Sequence, residues 1–145
     1  MRKNLPLHHI DTSVFLAAFT ERERYSHVSG RYLNKISVNY RAAVSFSVLS
    51  ELFFKLIRTI GNDYRIKLLL WFTRFIENKD VQLLPSNFSV YSRIENLRET
   101  NFRLDPIDAL HLATALENNA DVFVTLDTKL GKQVNGLTIQ HPENL

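Results

Sequence analysis

Cysteine is absent from the 145-residue chain. That excludes disulfides, thiolate zinc sites and a cysteine nucleophile, and it fits a reducing cytoplasm. Glycine and proline are scarce, four of each. No repeat, low-complexity tract or flexible linker interrupts the chain, so residues 1–145 are expected to form a single domain. No apolar run suits a membrane: the richest, IKLLLWFTRFI, is broken by charge and falls short of the roughly 20 residues a bilayer needs. The opening MRKNLPLHHI has basic residues but lacks the apolar core of a secretory signal. Strong charge imbalance is missing too. A net charge of +3 permits an anionic partner without demanding one.

What is present alternates. LHHIDTSVF reads as a short strand leading into a turn or helix start, and AAFTERERYSHVSGRYLNKI as helix with a break around Gly30. AAVSFSV is expected to be a strand, LSELFFKLIRTI a helix stopped by Gly61, and NDYRIKLLLWFTRFIENK the longest helix, capped by Asn62 or Asp63. DVQLLP follows as strand, then a helix opening on Ser86 or Asn87, then DPIDALHLATALENN with a cap and a proline in its first turn. ADVFVTLD and LTIQH close the series as strands. Strands alternating with helices imply an α/β fold with a central, mostly parallel sheet of four to five short strands flanked by helices. Such sheets bind ligands beyond the carboxyl ends of their strands.

Four acids fall there. Asp11 and Asp127 each end a strand, while Glu51 and Asp108 sit in the first turn of a helix. Helix capping is the competing explanation, since acids near a helix N-terminus gain roughly 0.3–1 kcal/mol. It suits Asp105, Asp108 and Asp127, and could suit Asp11. Glu51 fits it less well, because Ser47 is the expected cap and Leu49, Leu52 and Phe53 surround it in sequence.

IDTSVFL, LSELF, DALHLATALE and VTLDTKL come in the order and approximate positions of a PIN domain, which the chain resembles over nearly its whole length. The most specific piece is DALHLATA followed, after one short strand, by TLD. The resemblance implies a three-layer PIN-like sandwich and a metal-dependent ribonuclease, most similar to the VapC-type toxins of toxin–antitoxin pairs. It makes Asp11, Glu51, Asp108 and Asp127 the acidic quartet, supported by the hydroxyls of Thr12 or Ser13 and of Thr125. Oxygen donors of this kind suit Mg²⁺ or Mn²⁺. Asp11, Asp108 and Asp127 are expected nearest the metal, with Glu51 as ligand or as orienter of the attacking water. A haloacid-dehalogenase-like phosphatase would need an Asp where Ser13 stands, and a response-regulator receiver an acidic pair and a late Lys-Pro. Neither pattern occurs.

RNA as substrate would need cationic flanks, for which Arg22, Arg24, Arg41 and Lys55 are candidates. No run of aromatics interleaved with basic residues points to base stacking. His111, one turn beyond Asp108, reads first as a cleft-wall residue and only secondarily as a general base. His8 and His9 are adjacent in a strand and should face opposite ways. The apolar load on the helices bracketing Gly61 exceeds what one core face requires. The resemblance accounts for it by a homodimer and an antitoxin segment lying in a groove between these helices, with an Arg reaching the acids. Two other readings share the fold: a catalytically silent PIN-like protein that binds RNA or a partner, and an RNA-processing nuclease without antitoxin.

Overall fold

β1 (Leu7–Ile10) is buried along its whole length, as a strand in a parallel sheet covered on both faces must be. The computed structural model describes residues 4–20, 23–60, 65–101 and 103–145. After β1 come α1 (Thr12–Phe19), α2 (Ser26–Asn34), β2 (Arg41–Ser45), α3 (Phe46–Ile60), α4 (Arg65–Lys79) and β3 (Gln82–Leu84). Then follow α5 (Phe88–Thr100), α6 (Pro106–Glu117), β4 (Val122–Val124), β5 (Gln133–Val134) and β6 (Leu137–Gln140). The sheet order is β3-β2-β1-β4-β6-β5, parallel throughout except for the β5–β6 pair. Among the described residues no helix is long and apolar enough to cross a membrane.

The expected α/β architecture is present, with six strands rather than four to five. The extra one is β5, joined to β6 through Asn135 and Gly136, both at positive φ (46° and 84°). A two-residue hairpin demands that backbone, and Asn-Gly is the dipeptide that supplies it.

Alternate strand residues feed two separate cores. Ile10 and Val124 pack with Val14, Phe15, Leu52, Phe72 and Phe75 of α1, α3 and α4. Phe123 and Ile139 pack with Val90, Leu97 and Leu112 of α5 and α6. The sheet is thus the middle of three layers. The two histidines obey the same alternation: His8 stacks on Tyr40 and His9 on Phe123, ring centroids 4.2 and 5.2 Å apart. Burial lowers their pKa values to about 4 and about 3. They fill the two cores as neutral rings and share no ligand.

Two boundaries differ from the sequence expectation. Gly30 lies inside α2, and the interruption falls earlier, between Phe19 and Ser26. Ser29, Tyr32 and Leu33 are buried, and that packing outweighs the roughly 1 kcal/mol a helical glycine costs. AAVSFSV divides at Ser45, where β2 stops and α3 begins. The Ser45 hydroxyl accepts the Val48 N–H at 3.2 Å, so Ser45, not Ser47, caps the helix, and Glu51 moves into the second turn. Asn87 caps α5 by accepting from Val90 N–H. Asn62 and Asp63 lie outside the described residues.

The chain runs outward from β1 to β2 and β3, then returns to β4 on the other side of β1. Reversal of this kind opens a crevice at the carboxyl ends of the central strands.

Candidate functional site

Asp11 is the first residue past β1, and its N–H donates to Val124 O at 2.9 Å, extending the β1–β4 ladder. Its backbone occupies the cap position of α1, but its side chain makes no cap bond. Instead Oδ2 accepts hydrogen bonds from Ser13 Oγ at 2.7 Å and Thr125 Oγ1 at 2.8 Å. Each hydroxyl is itself held: Ser13 Oγ accepts Leu126 N–H, and Thr125 Oγ1 accepts Asp127 N–H, both at 3.0 Å. One carboxylate oxygen therefore fastens the loop after β1 to the loop after β4. Asp11 is only 7% exposed. Capping does not explain it.

Asp127 does cap, its Oδ1 accepting Lys129 N–H at 2.9 Å to open the short 3-10 turn Thr128–Leu130. Asp105 caps α6 through Ile107 N–H at 2.9 Å, with Pro106 next. Asp108 then falls in the first turn of α6. Burial, followed by the charges of Asp11, Asp105 and Asp127, raises its pKa to about 6, with His111 opposing. Asp105, Asp108 and Asp127 line a cleft of about 470 Å³ together with Asn101, Arg103 and Lys129.

Glu51 enters from α3 on the adjoining side. Its Oε1 lies 3.6 Å from His111 Nε2 and 3.4 Å from Lys55 Nζ. The His111 imidazole is the main reason its pKa is lowered to about 2; partial burial opposes, and Thr12 and Lys55 add to the lowering. The structure thus brings Asp11 and Asp127 within electrostatic reach of Asp108, while Glu51 borders another cleft and connects to them through Thr12 and His111. Among the described residues, no three acids or imidazoles stand close enough to close round an ion as they are. The donor set nevertheless fits a hard cation. All its members are oxygens, and Asp11 keeps Oδ1 clear of the two hydroxyls bonded to Oδ2. Asp108, disfavoured as an anion by burial, faces the charges of Asp11, Asp105 and Asp127 with His111 only partly opposing.

The proposed RNA contacts separate. Lys55 lies at the site. Arg41 stands at the other end of β2, its Nε donating to Leu5 O at 3.1 Å, and this placement removes it from the acids. Arg24 rests over the Tyr25 ring, 5.1 Å from its centroid. Arg22 lies outside the described residues. Sequence reading missed the cations that line the clefts, Arg103 and Lys129 beside Asp127 and Arg58 beside Glu51. It also missed the aromatics. Phe46, Phe54 and Tyr91 line a cleft of about 680 Å³ with Glu51, Lys55 and Arg58, a mixture assembled only because α3 and α5 both pack against α6. A third groove, of about 390 Å³, runs between α3 and α4 and is lined by Leu49, Leu52, Phe53, Phe54, Leu68 and Leu69.

The family model of the PIN domain matches residues 9–134. No curated protein matches the sequence significantly. Solved structures do match in fold. VapBC2 from Rickettsia felis, bound to a DNA fragment from its promoter, aligns with a TM-score of 0.69 at 18% identity, over 93% of this chain and 98% of that one. DNA-bound VapBC from Salmonella typhimurium gives 0.71 at 15% identity, over 95% and 99%. VapC20 of Mycobacterium tuberculosis, a toxin that cleaves the sarcin-ricin loop, gives 0.68 at 13% identity, over 83% and 90%.

Proposed function

Because the chain belongs to the PIN domain family, we propose that it is a Mg²⁺- or Mn²⁺-dependent endoribonuclease and the toxin of a toxin–antitoxin pair. The observation that carries the reading is the approach of Asp108, in the first turn of α6, to Asp11 and Asp127 at the carboxyl ends of β1 and β4. Burial first, and then the charges of Asp11, Asp105 and Asp127, raise its pKa to about 6. Acids placed for stability alone would not be set to repel one another. Asp11, Asp108 and Asp127 would hold the metal, with Glu51 as a further ligand or as the group that orients the attacking water. A bound ion would supply an activated water at neutral pH and positive charge against the phosphodiester transition state.

The chain's own residues do the rest. Ser13 and Thr125 fix the Asp11 carboxylate, so that Oδ1 faces a constant direction. Lys129 and Arg103 on one side, and Lys55 and Arg58 on the other, provide the cationic flanks for an RNA backbone. The aromatics beside Glu51 give unpaired bases a surface on which to lie.

Two of the structural neighbours are toxin–antitoxin complexes, which supports an antitoxin as partner. The apolar groove between α3 and α4 is the surface assigned to it, with a homodimer as the working unit. Leu69 and Phe54 are 47% and 63% exposed there, more apolar surface than a face in water favours.

The test is cleavage of RNA with and without Mg²⁺ or Mn²⁺, comparing wild type with Asp11→Asn. Metal-dependent cleavage that falls by roughly a hundredfold or more in the variant supports the reading. Equal cleavage by both proteins, or none by wild type with either ion, refutes it.

A further inference from the structure

Ser45, Ser47, His111 and Glu51 form a line from the end of β2 to the cleft that Glu51 shares with Lys55 and Arg58. Val48 N–H donates to Ser45 Oγ at 3.2 Å. Ser45 Oγ lies 2.8 Å from Ser47 Oγ, and Ser47 Oγ 2.8 Å from His111 Nδ1. His111 Nε2 then faces Glu51 Oε1 at 3.6 Å, from a ring with no exposed surface. Among the described residues, Nε2 has no hydrogen-bond partner of its own.

The carboxylate assigns a direction to this line, because it can only accept. Nε2 carries hydrogen toward it, Nδ1 is left to accept from Ser47 Oγ, and Ser47, its proton so used, accepts from Ser45 Oγ. Lys55, on the solvent side of the same carboxylate and 52% exposed, pulls it outward along α3. A glutamate has one more rotatable bond than an aspartate, and holding it at a reacting centre takes an inward contact as well.

We infer that His111, oriented by Ser47, is a positioning residue that draws the Glu51 carboxylate inward against the pull of Lys55 and fixes it there. The inference rests on the ribonuclease reading for its consequence in catalysis, but the contact itself exists in the metal-free fold. His111 touches neither metal nor RNA; it acts through Glu51.

Two measurements test it. The first is long-range ¹H–¹⁵N spectroscopy of the metal-free full chain, wild type and Glu51→Gln. The expected result is an Nε2-protonated His111 whose Nε2 signal moves in the Glu51→Gln variant. An Nδ1-protonated ring, or signals that ignore the substitution, overturns the inference. The second is a kinetic split among folded variants. His111→Asn, which removes the donor facing Glu51, should lower kcat roughly tenfold or more at nearly constant KM. His111→Gln, which restores a donor at that place, should recover most of the loss. Equal behaviour of the two variants would make His111 a packing residue only. If His111→Asn does not fold, the spectroscopic result on the two proteins that retain the ring decides. Should wild type cleave no RNA while the Nε2 signal responds to Glu51→Gln, the ribonuclease reading fails and the positioning role stands.

Discussion

The Thr125 hydroxyl donates to Asp11 Oδ2 at 2.8 Å while accepting the N–H of Asp127 at 3.0 Å, so one side chain locates two acids that are far apart in the chain. Thr125 is 2% exposed. Thr125→Val keeps the shape and removes both bonds, leaving the part-buried Asp127 N–H without its acceptor and Asp11 Oδ2 with one donor fewer. The expected loss is about 1–3 kcal/mol of stability in chemical denaturation. Metal affinity, followed as the rise in Tm with added Mn²⁺, should fall as well. A variant as stable as wild type with undiminished metal response would show that the bridge has no organising role.

Asp108 sets a pH dependence of unusual sign. Its pKa is about 6 in the fold against an ordinary 3.8. As pH falls from about 7, the folded chain takes up this proton before the unfolded chain does, so the Asp108 contribution to metal-free stability rises until the unfolded pKa is reached. Glu51, lowered to about 2, works oppositely, but only below its ordinary pKa of 4.5. His8 and His9, held at about 4 and about 3 against an ordinary 6.5, oppose Asp108 between about 4.5 and 7, so its contribution is read as the difference between wild type and an Asp108 variant.

Asp108→Asn should remove the opposing rise, so the variant loses stability more steeply than wild type as pH falls from about 7 to 4.5. At neutral pH the metal-free variant should be more stable by on the order of 1 kcal/mol, a figure already reduced for solvent screening. Added metal should stabilise it less than wild type. Thermal unfolding in chelator and in Mn²⁺ measures both. A clear loss of metal-free stability would instead favour a capping role for Asp108.

Cations at the clefts and the cation at the far end of β2 should behave differently. Lys129→Ala should weaken RNA binding and reduce the slope of log affinity against log salt by about 0.7 for each phosphate it no longer neutralises. Arg41→Ala should leave that slope unchanged, because its guanidinium is engaged with Leu5 O at the opposite edge of the sheet. Equal effects of the two substitutions would place the RNA elsewhere.

Leu69→Glu puts a charge in the apolar groove between α3 and α4 without approaching the acids. It should abolish capture of the antitoxin while RNA cleavage continues at the wild-type rate. Retained capture, measured with the purified pair, would move the antitoxin to another face.

Local signals in the sequence carried far. Asp105 followed by Pro106 announces the start of α6, and Asn87 the start of α5, because a cap concerns only the next three residues. The apolar strands ending in Asp11 and Asp127 show where the acids stand, since strand ends are where a parallel sheet opens. What depends on packing was hidden. Gly30 reads as a break until Tyr32 and Leu33 are seen buried around it. Ser47 reads as a cap until Ser45 takes that task and frees it for His111. Phe46, Phe54 and Tyr91 are scattered letters until α3, α5 and α6 draw them together. Asn135–Gly136 is a local hairpin signal that the sequence reading passed over, and β5 was missed with it.

The central position of β1 has a consequence for synthesis. Asp11 leaves the ribosome early, yet the amide that precedes its side chain pairs with Val124 and its carboxylate with Thr125. Neither partner exists until β4 has been made. A nascent chain that stops short of that strand has acids but no organised centre, so any activity against RNA is withheld from the machinery translating it until the fold can close.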